Sequence, residues 1–401
     1  MALMPFTDAM AAILKGAKGL PEEMVALEDA FHRVLARDVA SRRTQPPEAM
    51  SAMDGYAVRA ADATVGAKLK VIGEISAGKP FDRALAAGEA ARIFTGGVVP
   101  TGSDAVVIQE DTARDGDIVT INEAAPIGKN IRPAGVDFEQ GDVLLRAGTR
   151  LADRDLALAA GMNHAQLPVQ RRPVVAMLAT GDELVMPGAT PGPGQIVLSN
   201  GFALRALARA EGADVIDLGI ARDTLESTTA AIRRAIELDV DVLITTGGAS
   251  VGDHDLVQQS LVAAGVDISF WKIAMRPGKP MMHGRRGAMR IIGLPGNPVS
   301  SYVCGFLFMV PLLRALSGRS EVQHFREAAV LGRDLAANDH REDYLRTRLE
   351  WLDGKLVATP VMKQDSSLLG NLAVAEGLLV RPPHAAAAKA GDPCEIIRLP
   401  A

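Results

Sequence analysis

Aromatic residues are scarce in this 401-residue chain, where phenylalanine, tryptophan and tyrosine together make up 4%. That leaves little from which to build the stacking platforms that hold single-stranded nucleic acid. Positive charge is not in excess either: 43 lysines and arginines face 48 aspartates and glutamates, for a formal net charge of −5. No global field attracts a polyanion, so any anion site has to be local. Cysteine is limited to Cys304 and Cys394, too few for a disulfide framework or a four-cysteine zinc site, and both read as packing residues. The seven histidines form no H-x-x-x-H pair, which excludes the zinc-protease pattern. The first ten residues lack a basic stretch leading into an apolar one, so no signal peptide is expected. The longest apolar run, 302–313, is broken by Gly305 and Pro311 and falls short of the roughly 20 residues of a membrane span. A buried or dimer-facing helix is expected there. The chain as a whole is expected in the cytoplasm, with neither nucleic acid nor membrane as partner.

What is present is a globular composition, 48% hydrophobic and 23% charged, on a chain long enough for several cores. The N-terminal stretch reads as two helices. Thr7 can cap the first, which places Met10, Ile13 and Leu14 on one face, and the second is expected from about Glu22 to Leu35. Pro46-Pro47 then forces an extended linker. Short β-rich runs at 69–75, 105–109 and 117–121 alternate with Gly, Pro and Asp turns, and a helix returns at 151–162 with Asp153 as its cap. This pattern predicts an elongated helical linker domain (1–50 and 141–170) interrupted by an inserted β-rich domain (51–140).

From 171 to 320 strands and helices alternate: strands at 173–179, 213–219, 240–245, 268–275 and 289–293, helices at 201–211, 224–238, 256–264 and 298–316. Such alternation predicts a doubly wound, mostly parallel α/β sheet, which binds ligands at the carboxyl ends of its strands. The tail, 325–401, carries short strands at 344–352, 355–360, 377–380 and 395–399 and reads as a small β-barrel. The expected fold class is therefore multi-domain α/β.

Three loops follow strands of the α/β segment. They are Thr180-Gly181-Asp182-Glu183-Leu184, the stretch from Thr245 to Asp255 that includes Gly247, Gly248, Ser250 and Gly252, and Leu294-Pro295-Gly296-Asn297-Pro298-Val299-Ser300. Glycines let backbone N–H groups approach a phosphate, and a helix N-terminus adds positive potential. Glu183, Asp223 and Asp255 all come just after predicted strands, and hard oxygen ligands beside a phosphate cradle suit Mg²⁺. Asp223-Thr224 is equally good as a helix cap, and Asp255 also precedes a helix. The segment from Lys272 to Pro280 holds three cations, Lys272, Arg276 and Lys279; a charge run is usually a solvated face, but a loop stiffened by two prolines also fits an oxyanion pocket.

Taken in order, S-A-M-D-G-Y-A (51–57), R-P-A-G-V-D (132–137), T-G-D-E-L, T-T-G-G-A-S-V-G-D-H-D, R-P-G-K-P and L-P-G-N-P-V-S resemble the MoeA family of molybdopterin molybdenumtransferases over essentially the whole chain. The eukaryotic counterpart of that family is the E domain of gephyrin. The resemblance implies a homodimer of four-domain subunits that takes adenylylated molybdopterin and molybdate, cleaves the adenylyl anhydride and releases AMP and molybdenum cofactor, with Mg²⁺ required. It implies functional acids at Asp54, Asp137, Glu183 and Asp255, with Asp223 and Asp255 toward Mg²⁺. It also implies basic residues at Lys272, Arg276 and Lys279, loop prolines at Pro295 and Pro298, and a molybdate pocket that includes Arg346 and Ser366. Arg276 stands where many relatives have lysine. Asp54 and Asp137 taken alone are turn residues; the implied dimer would bring them to the crevice of the other subunit. Transient contact with a molybdopterin adenylyltransferase and with recipient molybdoenzymes is also implied. Two alternatives are a molybdopterin adenylyltransferase built on the same α/β domain and a non-catalytic scaffold like gephyrin. The inserted module, the tail and the S-A-M-D-G-Y-A segment speak against the first, and the lack of a long linker or fused enzyme against the second.

Overall fold

The structure, a computed structural model, describes residues 3–247 and 256–400. At its centre six strands form one sheet: β1 (Val174–Thr180), β2 (Asp214–Ala221), β3 (Val242–Thr246), β4 (Asp267–Lys272), β5 (Pro280–Arg286) and β6 (Met289–Leu294). Their spatial order is β2-β1-β3-β6-β5-β4. β2, β1, β3 and β6 run parallel, and β5 is antiparallel to both of its neighbours. The apolar β-branched runs of β1 and β3 suit strands covered on both faces. The chain passes from β1 to β2 on one side and returns to β3 on the other. The point where the strand order reverses therefore lies at the ends of β1 and β3, where such sheets open a crevice. β5 escapes sequence reading because Pro280 opens it, Gly284 interrupts it and two arginines close it. Its middle residues Met281, Met282 and His283 are nonetheless buried.

Helices Asn200–Ala210, Leu225–Glu237 and Leu256–Ala263 cover the sheet, together with a long helix over 298–316. The long helix is 19 residues, long and apolar enough to cross a membrane; an 18-residue stretch of it has mean hydropathy 1.7 and is 83% buried inside the protein, as in a core helix. It contains a π turn, Gly305–Met309. At Gly305 a Cβ would overlap the Leu204 side chain, so glycine is what lets this helix lie close against Asn200–Ala210.

The N-terminal helix spans Phe6–Leu14, but Pro5 rather than Thr7 is its N-cap, and the Thr7 hydroxyl donates to Asp8. Ala9, Met10 and Ile13 of this helix join the α/β core rather than the linker segments. Arg290 from β6 donates to the carbonyls of Ile13 (3.2 Å) and Lys15 (3.0 Å), and Arg285 from β5 donates to that of Ala12 (2.9 Å). The helix expected over 22–35 is absent. Glu22–Ala26 is a strand paired antiparallel with Gln166–Gln170, followed by a single 3₁₀ turn at Leu27–Asp29. The helical spacing of 25–35 is only partial, and long-range pairing overrides it. Beyond Leu14, the described residues of the linker segments hold one α-helix, Asp153–Gly161, whose N-cap is Ala152; the carboxylate of Asp155 accepts from the Ala152 N–H at 2.8 Å.

Between the linker segments, six strands pair into one sheet in which the fully buried Gly55–Val58 lies second from one edge. In the tail, Glu342–Leu352, Lys355–Pro360, Glu327–Leu331, Pro393–Arg398 and Gly377–Arg381 pair in turn, and the last pairs back to the first. Closure leaves this five-stranded barrel without a free edge. Glu327–Leu331 is a strand that sequence reading missed. A short strand from the α/β unit, Met275–Arg276, runs parallel along Glu342–Asp343.

Candidate active site

The three loops meet. Gly181 follows β1, Gly247 follows β3 and Pro295 follows β6, on adjacent parallel strands. Gly247 has φ +89°, and a Cβ there would lie 2.5 Å from the carbonyl oxygen of Thr180. Gly296 lies against the Cα of Gly247. Gly181, at φ +144°, carries the Glu183 carboxylate folded over the place where a Cβ would be. These glycines let three backbones close to contact distance at the point where strand order reverses.

At the end of β2, Asp223 and Asp182 embrace. The N–H of Asp182 donates to Asp223 Oδ2 at 3.2 Å, and the N–H of Asp223 donates to Asp182 Oδ1 at 3.2 Å. Thr224, not Asp223, caps the following helix, accepting from Ser227 N at 3.2 Å. The other carboxylate oxygen of each aspartate has no partner among the described residues. Two exposed hard oxygens are the set that Mg²⁺ takes from protein when substrate phosphates complete its shell. No group of three or more acidic, histidine or cysteine side chains able to hold a metal alone occurs among the described residues.

On the other flank, Lys272 ends β4, and its register partner on β5 is Pro280, which follows Lys279. The neck of the loop between them is closed by Ile273 N–H donating to the Lys279 carbonyl at 3.0 Å. The side chains of Lys272 and Lys279 have no ion-pair partner among the described residues, whereas the guanidinium of Arg276 is engaged by Asp343 and Asp339. Burial pushes the thiol of Cys304, which lies under Gly278, up to about 12, so it serves there as a neutral packing group.

The tail supplies a further wall. Arg346 is 1% exposed; its Nη2 donates to the Asp365 carbonyl at 3.0 Å, while its Nε has no partner among the described residues. Burial lowers the pKa of Arg346, but a guanidinium stays charged in proteins, so a cation is held beneath this loop. Next along, the Ser366 hydroxyl accepts from Asn297 Nδ2 at 3.0 Å, and the Ser366 carbonyl accepts from the Val299 N–H at 3.0 Å. Asn297 is the N-cap of the long helix and Pro298 its first residue, the position that needs no N–H donor. Arg346, Ser366 and Asn297 are thereby strung together at the start of that helix.

The structure thus brings together Thr180, Gly181, Glu183, Asp223, Gly247, Pro295, Gly296, Asn297, Pro298, Arg346 and Ser366 in two contiguous clusters at one sheet edge, with Lys272, Arg276 and Lys279 on the adjoining strands. Gly248, Ser250, Gly252 and Asp255 lie outside the described residues. Asp54 and Asp137 stand apart. Asp54 accepts from the Thr95 N–H and hydroxyl, each at 2.8 Å, which together hold its carboxyl below the ordinary aspartate value. The Asp137 N–H donates to Gln45. No hydrogen bond or ion pair among the described residues links either acid to the crevice. Sequence reading assigned no role to Asn200, whose Nδ2 holds the Gly296 carbonyl at 2.7 Å, or to Asp182 itself. Asn200 lay just ahead of the helix expected over 201–211, and Asp182 sat unread inside the T-G-D-E-L loop.

Comparison with known proteins places the chain in a family. Residues 4–162 match the MoeA N-terminal region (domain I and II), residues 176–315 match a probable molybdopterin binding domain, and residues 328–399 match the MoeA C-terminal region (domain IV). The molybdopterin molybdenumtransferase of Bacillus subtilis is 35% identical over 94% of this chain and 90% of its own length. That of Haemophilus influenzae is 37% identical over 77% of each. The molybdopterin biosynthesis MoeA protein from Pyrococcus horikoshii superposes with a TM-score of 0.86 at 31% identity, covering 100% of both chains. A chain with this sheet, these loops and relatives that match it nearly end to end belongs to the molybdopterin molybdenumtransferase (MoeA) family.

Proposed function

We propose that this protein inserts molybdenum into molybdopterin, taking adenylylated molybdopterin and molybdate and releasing AMP and molybdenum cofactor. The observation that carries the reading is the juxtaposition at one sheet edge of a three-loop glycine cradle and a cationic flank, closed by a tail that holds Arg346 buried beneath the Asp365–Ser366 turn. The cradle suits a pyrophosphate because Gly247 and Gly296 put no side chain between the backbone and a ligand, while the Glu183 carboxylate covers Gly181. Lys272 and Lys279, with Arg346 and Ser366, suit a tetrahedral dianion such as molybdate, which needs cations and hydroxyl donors on several sides.

Asp223 and Asp182 would hold Mg²⁺, which offsets charge on the anhydride phosphates when bound. The residues of the chain do the rest. The backbone of the loops after β3 and β6, at Gly247 and Gly296, orients the anhydride, Glu183 over Gly181 positions the reacting group, and the lysines keep molybdate beside the pterin. Oriented charge of this sort lowers the barrier more than any other single effect in most enzymes. We further propose a homodimer in which Asp54 and Asp137 reach the crevice of the partner subunit, with transient contacts to the adenylyltransferase that supplies the substrate and to the molybdoenzymes that accept the product.

The test is incubation of the purified protein with adenylylated molybdopterin, molybdate and Mg²⁺. The expected result is stoichiometric AMP release and a product that activates a cofactor-free molybdoenzyme. Absence of AMP release, with adenylylation of free molybdopterin from ATP instead, refutes the reading in favour of an adenylyltransferase.

A further inference from the structure

Of the three cations in the 272–280 loop, one behaves differently. Arg276 Nε donates to Asp343 Oδ1 at 2.9 Å and its Nη2 donates to the other oxygen of the same carboxylate, a fork-to-fork pair. Nη2 also reaches Asn338 Oδ1 at 3.3 Å, and Nη1 lies 3.5 Å from Asp339. The bidentate geometry that an arginine could offer an oxyanion is thus given to a carboxylate of the barrel. The Asp343 side chain is 7% exposed, and a buried carboxylate of this kind depends on its partner.

The backbone repeats the same attachment. Met275 and Arg276 pair in parallel with Glu342 and Asp343, and the Glu342 N–H donates to the Ala274 carbonyl at 2.9 Å. Beneath the loop, Gly278 at φ +114° rests on the Cys304 sulfur, so the loop has no room to sink toward the long helix. Three residues beyond Asp343 on the same barrel strand stands Arg346, which organises the Asp365–Ser366 turn against Asn297. One strand therefore grips both halves of the anion site, the cationic loop through Asp343 and the helix start through Arg346.

We infer that Asp343 is a positioning residue for the oxyanion site: by locking Arg276 it fixes where Lys272 and Lys279 present their charges, and Arg276 acts as a latch to the barrel rather than as an anion ligand. This rests on the proposed molybdate-inserting reaction. Removing the carboxylate in Asp343→Asn frees the loop. Its amide hydrogen exchange over 273–280 is expected to quicken, and KM for molybdate is expected to rise about tenfold to a hundredfold, the scale of effect that an ångström of misplacement has. KM for adenylylated molybdopterin and the thermal midpoint are expected to stay near the parent values. Arg276→Lys, which keeps the charge and loses the fork, should give the same pattern, and the two changes together should cost no more than either alone. The exchanged pair Arg276→Asp with Asp343→Arg should recover most of the molybdate KM.

An exchanged pair worse than either single variant would overturn the inference by showing that Arg276 touches the anion. Unaltered exchange in the loop of Asp343→Asn would overturn it equally. A lower thermal midpoint with an unmoved molybdate KM would reduce Asp343 to a structural residue and overturn it as well. If the parent protein releases no AMP at all, it is the reaction that fails, and the exchange measurement still decides the latch.

Discussion

Replacing Gly247 with alanine tests whether close backbone approach at the crevice is needed for turnover. The perturbation has two separable parts. Residue 247 sits at φ +89°, where a side chain costs about 1–2 kcal/mol of backbone strain. The new Cβ would also lie 2.5 Å from the Thr180 carbonyl oxygen, well inside the 3.4 Å at which ordinary contact begins. That oxygen belongs to the last residue of β1 and cannot swing aside, so the loop after β3 has to retreat by roughly an ångström, a displacement that typically costs about a hundredfold in rate. Gly354→Ala supplies the control. It carries the same kind of strain, at φ +73°, with no atom within 4 Å of the added carbon. Both variants should lose a few degrees of thermal midpoint in calorimetry. Only Gly247→Ala should lose about two orders of magnitude in kcat/KM for AMP release. A Gly247→Ala enzyme within twofold of the parent would refute the idea that the loops must touch, as would a Gly354→Ala enzyme equally impaired.

Asp223→Asn should raise the Mg²⁺ concentration for half-maximal rate about tenfold, the scale of one weakened carboxylate ligand, and a magnesium titration of AMP release reads this directly. Ser366→Ala removes the hydroxyl that joins the barrel turn to Asn297 and should lower molybdate-dependent turnover about a hundredfold, as the loss of one oriented group does; stopped-time product assays at varied molybdate check it. His283, 1% exposed, is pushed down by burial to about 4 from an ordinary 6.5. Below pH 6.5 the unfolded chain takes a proton that the folded one refuses. The stability contributed by neutral burial is therefore complete above 6.5 and is lost as pH falls through about 4, by up to about 3 kcal/mol. Urea midpoints across that range should fall less steeply, by about one proton, in His283→Gln.

Much of the site could be read from residues alone, because strand–helix alternation over 173–316 dictates which loops share an edge. The glycines and the 272–280 cations then follow from position. What could not be read depends on partners distant in sequence. Val25 to Leu35 offered a partial helical spacing, yet Glu22–Ala26 found a strand at 166–170 and became its neighbour. Ser366 looked like any turn serine, and only the docking of the barrel brings it to Asn297, 69 residues earlier in the chain. Arg276 looked like an anion ligand because its neighbours are cations; the carboxylate that takes its fork lies 67 residues downstream. The role of Asp182 was hidden for a similar reason, since its partner stands at the end of a different strand.

The N-terminal helix has a consequence for biosynthesis. Its last carbonyls are held by Arg290, 277 residues later in the chain. At roughly 5–20 residues per second, a ribosome needs on the order of 15–55 s to deliver that arginine after the helix has been made. Through that interval Ala9, Met10 and Ile13 have no finished sheet to cover them. The nascent α/β unit can seal its apolar face only after β6 has left the exit tunnel.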